Sequence, residues 1–407
     1  MKDKNFLLTL PFLFFASYLF WGVPAYNSSL KQFPKDTLQV AKDSLVTIQL
    51  TFVGDLMCHS SQYKYVKDSK STYNFTPVYE YVQPYLQKAD LTIGNLETVL
   101  AGATTSFSGY PAFNTPNAYA DALKNIGFDY LFTANNHSYD QGEKGVLRTL
   151  EELSQRNLVS IGTHCNEKDR DSIRIATVKG IRIAFLGYTE FSNIPVPAAK
   201  KYLVNPIDTT LIRQNVATAR QQGADLVVVN YHWGQEYKQP TEFQKMIAEW
   251  TWGIGVDIII GEHPHVLQPV QWFTQRSTAR LDTGLVAYSL GNFYSSQQWR
   301  YSDAGVMLSI GIEKNLATQR LRINKVSAVP TWVFKGTLQG EKQPKFLIFP
   351  SEMALQTKDT TLIKQNLLPN TLKQLTKAQL AKMEQAFEDS KKVLNNYGAK
   401  VSMDSWK

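Results

Sequence analysis

The chain has 407 residues, 43% of them hydrophobic and 19% charged, so it holds enough apolar material for one large domain or two ordinary ones and is not a disordered chain. The formal net charge is +8, but residues 357–407 contribute +4 of it, since they hold nine Lys against five Asp or Glu. The remainder is only mildly basic and carries no stripe of Lys and Arg beside its motifs, which argues against a nucleic-acid partner.

The N-terminus predicts a membrane-targeting segment. Two lysines in the first four residues precede an apolar run over residues 6–21, whose length lies between that of a signal-peptide core and that of a full membrane span. We interpret residues 1–26 as a signal peptide or a membrane anchor, with cleavage and retention both open, and residues 27–46 as a linker. The body of the protein is therefore expected outside the cytoplasm, in a periplasm or at a cell surface, either secreted or anchored.

From about residue 46, short apolar runs alternate with segments of helical period, which is the pattern of an α/β architecture. Strands are predicted over residues 48–53, 91–93, 130–133, 159–161, 181–186, 226–230, 258–260 and 285–289. Helices are predicted over residues 77–87, 145–155, 209–222 and 241–252. The first helix is expected to begin with Thr76 as its N-cap and Pro77 at its first position.

The C-terminal third has a different texture. Strands without intervening helices are predicted over residues 306–312, 321–329, 331–334 and 346–349, and we expect them to complete a sheet layer as antiparallel strands. An amphipathic helix is predicted over about residues 372–395. We therefore divide the chain after the linker into one large domain, residues 47–350, with its motifs inside 48–303, and a helical tail, residues 351–407.

Five of the six histidines lie in four short segments, each of which starts where an apolar strand run ends. The segments are GDLMCH at 54–59, NNHSYDQG at 135–142, HWGQEY at 232–237 and GEHPH at 261–265. A fifth segment, GNLE at 94–97, supplies a carboxylate without a histidine. Because the carboxyl ends of parallel strands open into one crevice, these polar groups are predicted to converge there.

The residue types in these segments favour a metal site. Alternate residues of an extended segment point the same way, so His263 and His265 are expected to present two imidazoles to one metal cluster. Imidazoles, carboxylates and an Asn oxygen, with no thiolate required, suit one or two divalent ions of Mn, Fe or Zn. Two such ions can activate a water for attack on a phosphoryl group.

The segments GDLMCH, GNLE, NNHSYDQG, HWGQEY, GEHPHVLQP and SLGNF occur in this order, and together they resemble the CapA-type poly-γ-glutamate capsule biosynthesis proteins, a branch of the calcineurin-like metallophosphatase superfamily. The resemblance covers about residues 48–303. It implies a four-layered α/β/β/α sandwich, here with a strand-rich C-terminal extension and a helix. It also implies a role in making or handling an anionic capsular polymer, a phosphoester or polymer substrate, and membrane proteins of capsule synthesis as partners.

The resemblance also implies roles for individual residues. The metal ligands that it implies are Asp55, His59, Glu97, Asn136, His232, His263 and His265. His137 matches the catalytic histidine that follows the Asn ligand, and Asp140 is placed to hold its imidazole. Two positions depart from the superfamily pattern: His59 lies four residues after the first Asp instead of two, and Asn95 stands where a bridging Asp is usual, with Glu97 two residues further on.

Two interpretations of function remain open at this point. The first is metal-dependent hydrolysis, which requires a group to protonate the leaving group and is favoured by the presence of His137. The second is a metal-binding accessory subunit for synthesis, export or anchoring of the polymer, without turnover. Beside the ligand set, Glu236 is expected to orient ligands or contact substrate, with Asn292 as a weaker candidate. Trp233 and Tyr110 are candidates for the wall of the crevice or for the core.

Overall fold

The computed structural model describes residues 44–274, 281, 283–366, 368–396 and 401–404. The predicted membrane-targeting segment, residues 1–26, lies outside these residues, as does most of the predicted linker. The first strand begins at Leu45, so the last two residues of the predicted linker belong to this strand. Across the described ranges, no helix combines the length and the apolar character needed to cross a membrane.

Regular elements occupy most of the described chain. The strands are β1 (Leu45–Leu56), β2 (Leu91–Leu96), β3 (Tyr130–Phe132), β4 (Val159–Ile161), β5 (Arg174–Val178), β6 (Ile181–Thr189), β7 (Leu226–His232), β8 (Ile258–Glu262), β9 (Val270–Thr274), β10 (Thr283–Ala287), β11 (Asn292–Tyr294), β12 (Ala304–Asn315), β13 (Leu321–Gly336), β14 (Lys345–Pro350) and β15 (Ser402–Met403). The α-helices are α1 (Ser60–Tyr65), α2 (Gln83–Leu86), α3 (Ala118–Ile126), α4 (Gly142–Gln155), α5 (Glu167–Arg170), α6 (Thr209–Gln221), α7 (Glu242–Gly253), α8 (Met353–Gln356), α9 (Thr360–Lys364), α10 (Asn370–Lys373) and α11 (Lys377–Leu394). Two 3₁₀ segments lie at Thr76–Tyr79 and Ala198–Leu203.

The strands form two mixed sheets. The first has the order β14-β13-β12-β1-β2-β3-β4, with β11 also paired to β1 and β15 to β13. Strands β1 to β4 run parallel, and β12 to β14 add to β1 as antiparallel strands, as the sequence predicted. The second sheet has the order β5-β6-β7-β8-β10-β9, in which β6, β7, β8 and β10 are parallel.

The two sheets pack face to face, as the alternation along β6 illustrates. Ile183 and Phe185 point into a buried cluster that also contains Phe52 of β1, whereas Ala184 and Leu186 point the other way. Because successive side chains of a strand face opposite sides, β6 divides its apolar residues between two cores. The cluster shared by both sheets is the central layer of the fold.

Helices cover the outer face of each sheet. Ala184 and Leu186 pack with Ile212 of α6 and Ala248 of α7, whereas Leu123 of α3 belongs to a cluster on the outer side of the first sheet. Helix-on-sheet packing on both outer faces completes a four-layered α/β/β/α sandwich. The predicted fold class is therefore confirmed.

Proline explains two of the errors in the predicted secondary structure. The predicted helix 77–87 is instead the 3₁₀ segment Thr76–Tyr79 followed by the short helix α2, because Pro84 has no amide hydrogen to continue a helix from the preceding turn. Conversely, Pro330 does not end a strand. Strand β13 runs through it, since Pro330 lies opposite Val306 and its carbonyl accepts a hydrogen bond from the amide of Ser351.

The C-terminal helix is shorter than predicted. Helix α11 begins at Lys377, not at residue 372, because Thr376 caps it. The hydroxyl of Thr376 accepts a hydrogen bond from the backbone amide of Gln379, and the side-chain oxygen of Gln379 accepts one from the backbone amide of Thr376. The preceding turn is the separate helix α10. Helix α11 then contributes Met383 and Ala386 to an apolar cluster with Phe334 of β13, so the tail packs on the first sheet.

Candidate metal centre

The predicted ligands lie at the carboxyl ends of parallel strands in both sheets. Asp55 is the penultimate residue of β1, Glu97 follows β2, Asn136 lies just beyond β3, and His232 is the last residue of β7. The backbone segments around Gly54 and Gly291 lie very close together at this edge of the sheet. A Cβ on Gly54 would lie 1.9 Å from the carbonyl oxygen of Gly291. Only glycine therefore fits directly before Asp55.

The first part of the centre joins Asp55 to the histidine pair after β8. One carboxylate oxygen of Asp55, Oδ2, lies 2.9 Å from Nδ1 of His265, and the other, Oδ1, accepts a hydrogen bond of 2.8 Å from the side-chain amide of Asn95. Asn95 is held in turn by Asn135, whose Nδ2 lies 3.3 Å from its Oδ1. Asn95, at the position where the superfamily pattern has a bridging Asp, thus positions Asp55.

Glu97 lies between the two halves of the site. Its Oε1 is 3.6 Å from Nε2 of His232 and 3.7 Å from Nε2 of His265. The side chain is fully buried, and neither carboxylate oxygen has a hydrogen-bond partner among the described residues. Two ligands about 2.1 Å from one ion are about 3.0–3.5 Å apart at tetrahedral or octahedral angles, so these separations are close to those of atoms sharing a metal.

Two groups of buried donors meet the distance requirement of a metal site, with all donor atoms within 4.8 Å of one another. One is Asp55, Glu97 and His232, and the other is Glu97, His263 and His265. Glu97 belongs to both. Glu97 is therefore within reach of both groups, and in a two-ion site it would be the shared ligand.

The charges of the site fit cations. Asp55, Glu97 and Glu262 are buried carboxylates, and among the described residues no Lys or Arg forms an ion pair with them. Burial and then the nearby carboxylate of Asp55 raise the pKa of Glu97 well above its usual range, and the same two causes raise that of Glu262. Unpaired buried carboxylates are unfavourable without a counter-charge, which divalent ions supply.

The imidazoles are held in the form that binds metal. Burial, with the neighbouring histidines as a smaller cause, lowers the pKa of His232 well below its usual range and that of His263 to about 3. Nδ1 of His263 is buried without a hydrogen-bond partner in the described structure, and Nε2 of His232 lies 2.8 Å from Oδ1 of Asn136. Neutral imidazoles are the metal-binding form, and Nε2 of His232 and Oδ1 of Asn136 are as close as two ligands of one ion, so the donor set fits divalent ions.

The structure brings His263 and His265 together, but not as alternate residues of an extended segment. Strand β8 ends at Glu262, and both histidines have left-handed backbone angles, with φ of 99° and 57°. Their ring centroids are 5.7 Å apart. The prediction of an extended segment is wrong, because a tight turn around Pro264 aims the two rings at the centre. Such backbone angles in non-glycine residues are uncommon and typical of functional sites.

His137 and Asp140 form a pair beside the donor groups. Nδ1 of His137 lies 2.7 Å from Oδ2 of Asp140, and the same oxygen accepts a 2.7 Å hydrogen bond from the amide of Phe113. Both side chains are buried, and the ring of Phe113 meets the imidazole edge-on at 4.6 Å. Since the carboxylate oxygen accepts, the proton of the imidazole lies on Nδ1 and Nε2 is left for other contacts.

A cleft of about 320 Å³ opens beside these residues. His59, His137 and His265 all line it. His59 belongs to neither donor group, and its Nδ1 lies 3.0 Å from Oε1 of Gln62. Burial lowers the pKa of His59 to about 4. His59 is therefore placed as a neutral wall residue of the cleft, and Gln62 holds its ring.

The remaining predicted residues separate into wall and core. Glu236 and Tyr110 line the cleft, and Tyr110 is 71% exposed. Trp233 is fully buried, and its indole nitrogen donates to the carbonyl of Tyr288, so it belongs to the core. Asn292 is buried next to Asp55 in the β1–β11 pairing, where its side-chain amide donates to the carbonyl of Ser302.

Glu262 is the residue that sequence reasoning missed. Both of its oxygens are buried without a hydrogen-bond partner among the described residues, and Asp55 acts on it electrostatically. The available signal was its position directly before His263 inside GEHPH. A glutamate at the end of a buried β-strand is rarely buried unless it is paired.

Comparison with known proteins finds two relatives whose names refer to CapA. The PGA biosynthesis protein CapA of Bacillus subtilis (strain 168) is 28% identical over 369 residues, which cover 88% of this chain and 91% of that protein. The capsule biosynthesis protein CapA of Bacillus anthracis is 33% identical over 278 residues, which cover 66% of this chain and 64% of that protein.

A search of solved structures finds the calcineurin-like phosphoesterase YfkN from Bacillus subtilis, at a TM-score of 0.41 and 11% identity, covering 70% of this chain and 91% of that chain. The family model described as bacterial capsule synthesis protein PGA_cap matches residues 49–297, which is more than half of the chain and spans the whole donor set. The protein therefore belongs to the PGA_cap family of bacterial capsule synthesis proteins.

Proposed function

We propose that the protein is a metal-dependent hydrolase of capsule-polymer synthesis that cleaves a phosphoester in an anionic substrate. The observation that carries this proposal is the shared position of Glu97 in two buried donor groups, next to a His–Asp pair on the same cleft. A metal-binding protein without turnover needs the donors but has no use for the pair.

In the proposed reaction, one set of residues would hold the metal ions and another would orient the ligands. Asp55, Glu97, Asn136, His232, His263 and His265 would hold the ions. Two divalent ions, when bound, lower the pKa of a water and polarise a phosphoryl oxygen. Asn95 orients Asp55 through its 2.8 Å hydrogen bond, and Glu262 places a second buried carboxyl group within electrostatic range of Asp55. The buried setting excludes bulk water, which strengthens each of these electrostatic contacts.

His137 would deliver the proton that the leaving group requires. A general acid here is the doubly protonated imidazole: Asp140 accepts from its Nδ1–H and fixes the ring, so the Nε2–H supplies the proton that the leaving group receives. The second hydrogen bond to Asp140, from the amide of Phe113, fixes the carboxylate itself. The ring of Phe113 limits rotation of the imidazole, so the position of the acid is fixed before substrate arrives.

We also propose that the protein works outside the cytoplasm, tethered or exported by residues 1–26, and with membrane proteins of capsule synthesis as partners. The apolar run of residues 6–21 after two lysines supports this placement. Two relatives with CapA in their names belong to PGA or capsule biosynthesis, which supports an anionic polymer or its precursor as substrate.

The test is a metal-restoration assay on the purified full-length protein. After chelation, Mn, Fe or Zn is added back, and hydrolysis is measured on aryl and alkyl phosphoesters and on γ-linked glutamyl polymers. We expect metal-dependent turnover of phosphoesters, and its loss together with bound metal in the double variant His263→Ala and His265→Ala. The control is His164→Gln, a buried histidine outside the cleft. No turnover with any metal and substrate contradicts the hydrolase and favours an accessory subunit.

A further inference from the structure

Helix α11 borders a second cavity next to the metal cleft. The cavity has a volume of about 370 Å³ and lies between α11, the turn after β8 and the segment that precedes β12. Tyr237 lines both the cavity and the cleft. Its ring centroid is 6.0 Å from that of His265 and 5.1 Å from that of Trp299, so one aromatic side chain separates the cavity from the candidate metal centre.

The side chains that line this cavity include more positively charged than negatively charged groups. Four basic side chains, Lys238, Arg300, Lys382 and Lys392, face two acidic ones, Asp303 and Asp389. Both acids already have partners: Arg300 binds Asp389 through two hydrogen bonds of 2.8 Å, and Asp303 accepts a 3.0 Å hydrogen bond from the indole of Trp332.

The three lysines have no such partner. Among the described residues none of them forms an ion pair, although Lys382 is close enough to act on Asp303 electrostatically. The cavity therefore retains positive charge that Asp303 and Asp389 do not neutralise, and an anionic group is the ligand that such charge attracts.

Polar and apolar groups of the lining narrow the class of ligand. The hydroxyl of Ser390 is buried on the cavity side of α11 and has no hydrogen-bond partner in the described structure. Gln385 and Asn396 add amide donors, while Leu267 and Val393 provide apolar wall. Hydroxyl, amide and ammonium donors match carboxylate oxygens, and the apolar wall matches the methylene groups between them.

We propose that the α11 cavity is a second subsite, which binds carboxylate groups of a linear polycarboxylate chain while another part of the same chain lies in the metal cleft. The occupant that fits is a flexible anionic polymer with aliphatic spacers. Binding in the cavity stands on its own lining, and only the simultaneous occupation of the metal cleft rests on the proposed function. A chain that reaches both sites gains affinity by effective concentration, which a short chain does not.

The test measures binding, not turnover. Full-length protein is titrated calorimetrically with γ-linked glutamate oligomers of about two and about ten residues, with metal and after chelation, since the gain from linking two sites requires a chain that spans them. We expect the long oligomer to bind more tightly. The double variant Lys382→Ala and Lys392→Ala should raise its Kd about tenfold in both conditions, as expected for the loss of two charge-assisted contacts at a partly exposed site.

Matched variants keep the test specific. Lys377→Ala with Lys391→Ala removes the same charge from the same helix at exposed positions outside the cavity lining, and it should change the Kd less than about twofold. Gln385→Trp, at an exposed position of the lining, should fill the cavity without changing charge and should weaken binding of the long oligomer more than that of the short one.

Three outcomes overturn the subsite: equal Kd values for the two lysine pairs, no effect of Gln385→Trp, or no difference between the oligomers with the parent protein. Stronger binding of inorganic polyphosphate than of the polycarboxylate overturns the assigned ligand class. Because the readout is binding after chelation as well as with metal, it stays interpretable if no hydrolysis is found. Turnover without a difference between the lysine pairs would leave the hydrolase standing and remove the subsite.

Discussion

Replacing Glu97 with Gln tests the centre at the residue that both donor groups share. The change keeps the shape of the side chain but removes its charge and exchanges one oxygen for an amide. In the folded protein both carboxylate oxygens are buried without partners, 3.6 and 3.7 Å from two imidazole nitrogens. Because burial and the carboxylate of Asp55 raise the pKa of Glu97, the folded metal-free protein must keep this group protonated at a cost in free energy, whereas Gln is neutral without a bound proton and its amide can donate to one of those nitrogens.

The expected magnitude follows from that geometry. A buried polar group without a partner costs about 1–3 kcal/mol, so Glu97→Gln should stabilise the metal-free protein by an amount in this range. Loss of a charged ligand from both groups should lower the affinity for each metal ion by at least about 100-fold, which is about 2.7 kcal/mol of binding free energy per ion. In the absence of metal, the variant is therefore predicted to be more stable than the parent. When metal is added, its free energy of unfolding should rise by less than that of the parent.

Urea unfolding with and without chelator, together with metal analysis, measures both effects. The matched control is Glu236→Gln, which removes an exposed carboxylate from the cleft wall outside both donor groups and should leave metal content near that of the parent. Parent-like metal content in Glu97→Gln, or a clear loss of stability in its metal-free form, would refute the reasoning.

Three further changes address the acid, the fold and the pH dependence. His137→Ala should keep near-normal metal content but lower phosphoester turnover by about 10²- to 10⁴-fold, less for a good leaving group; equal losses for all leaving groups would speak against a general acid. Gly54→Ala should cost about 3 kcal/mol or more in urea unfolding, because its Cβ would lie 1.9 Å from a carbonyl oxygen, whereas Gly253→Ala, with no atom within 4 Å, should be nearly neutral. Burial lowers the pKa of His164 to about 4, so the folded state stays neutral while the unfolded chain takes up a proton below about pH 6.5, and stability falls as the pH drops from 6.5 towards 4. Between pH 7 and pH 5, the free energy of unfolding of the parent should fall by about 2 kcal/mol more than that of His164→Gln. An unchanged pH dependence in the variant would contradict this assignment.

Much of the fold was predictable because it depends on local patterns. Apolar runs of strand length marked most strands of both sheets but missed β5, β9, β11 and β15, and α7 begins within one residue of its predicted start. Two of the errors came from proline, which has opposite effects in two settings. Pro84 interrupts a helix whose apolar spacing looked continuous, whereas Pro330 is tolerated in β13, because the strand bonds there through the carbonyl of Pro330.

The candidate site was predictable in its membership but not in its geometry. Polar residues that follow parallel strands converge because the carboxyl ends of those strands lie at one edge of the sheet. The sequence already showed that each motif follows a predicted strand. The left-handed turn at His263 and His265 and the burial of Glu262 depend on how the chains after β8 and β10 approach each other, a long-range property. The position of Glu262 directly before His263 was the available sequence signal, but the burial of its two unpartnered oxygens became visible only in the folded structure.

A crystal structure of the protein soaked with Mn²⁺, with anomalous scattering measured at the metal edge, tests the central claim most directly. We predict two peaks, one contacted by Asp55, Glu97 and His232 and the other by Glu97, His263 and His265, with Glu97 touching both. No peak at this edge of the sheets, or ions bound without Glu97, would contradict the account.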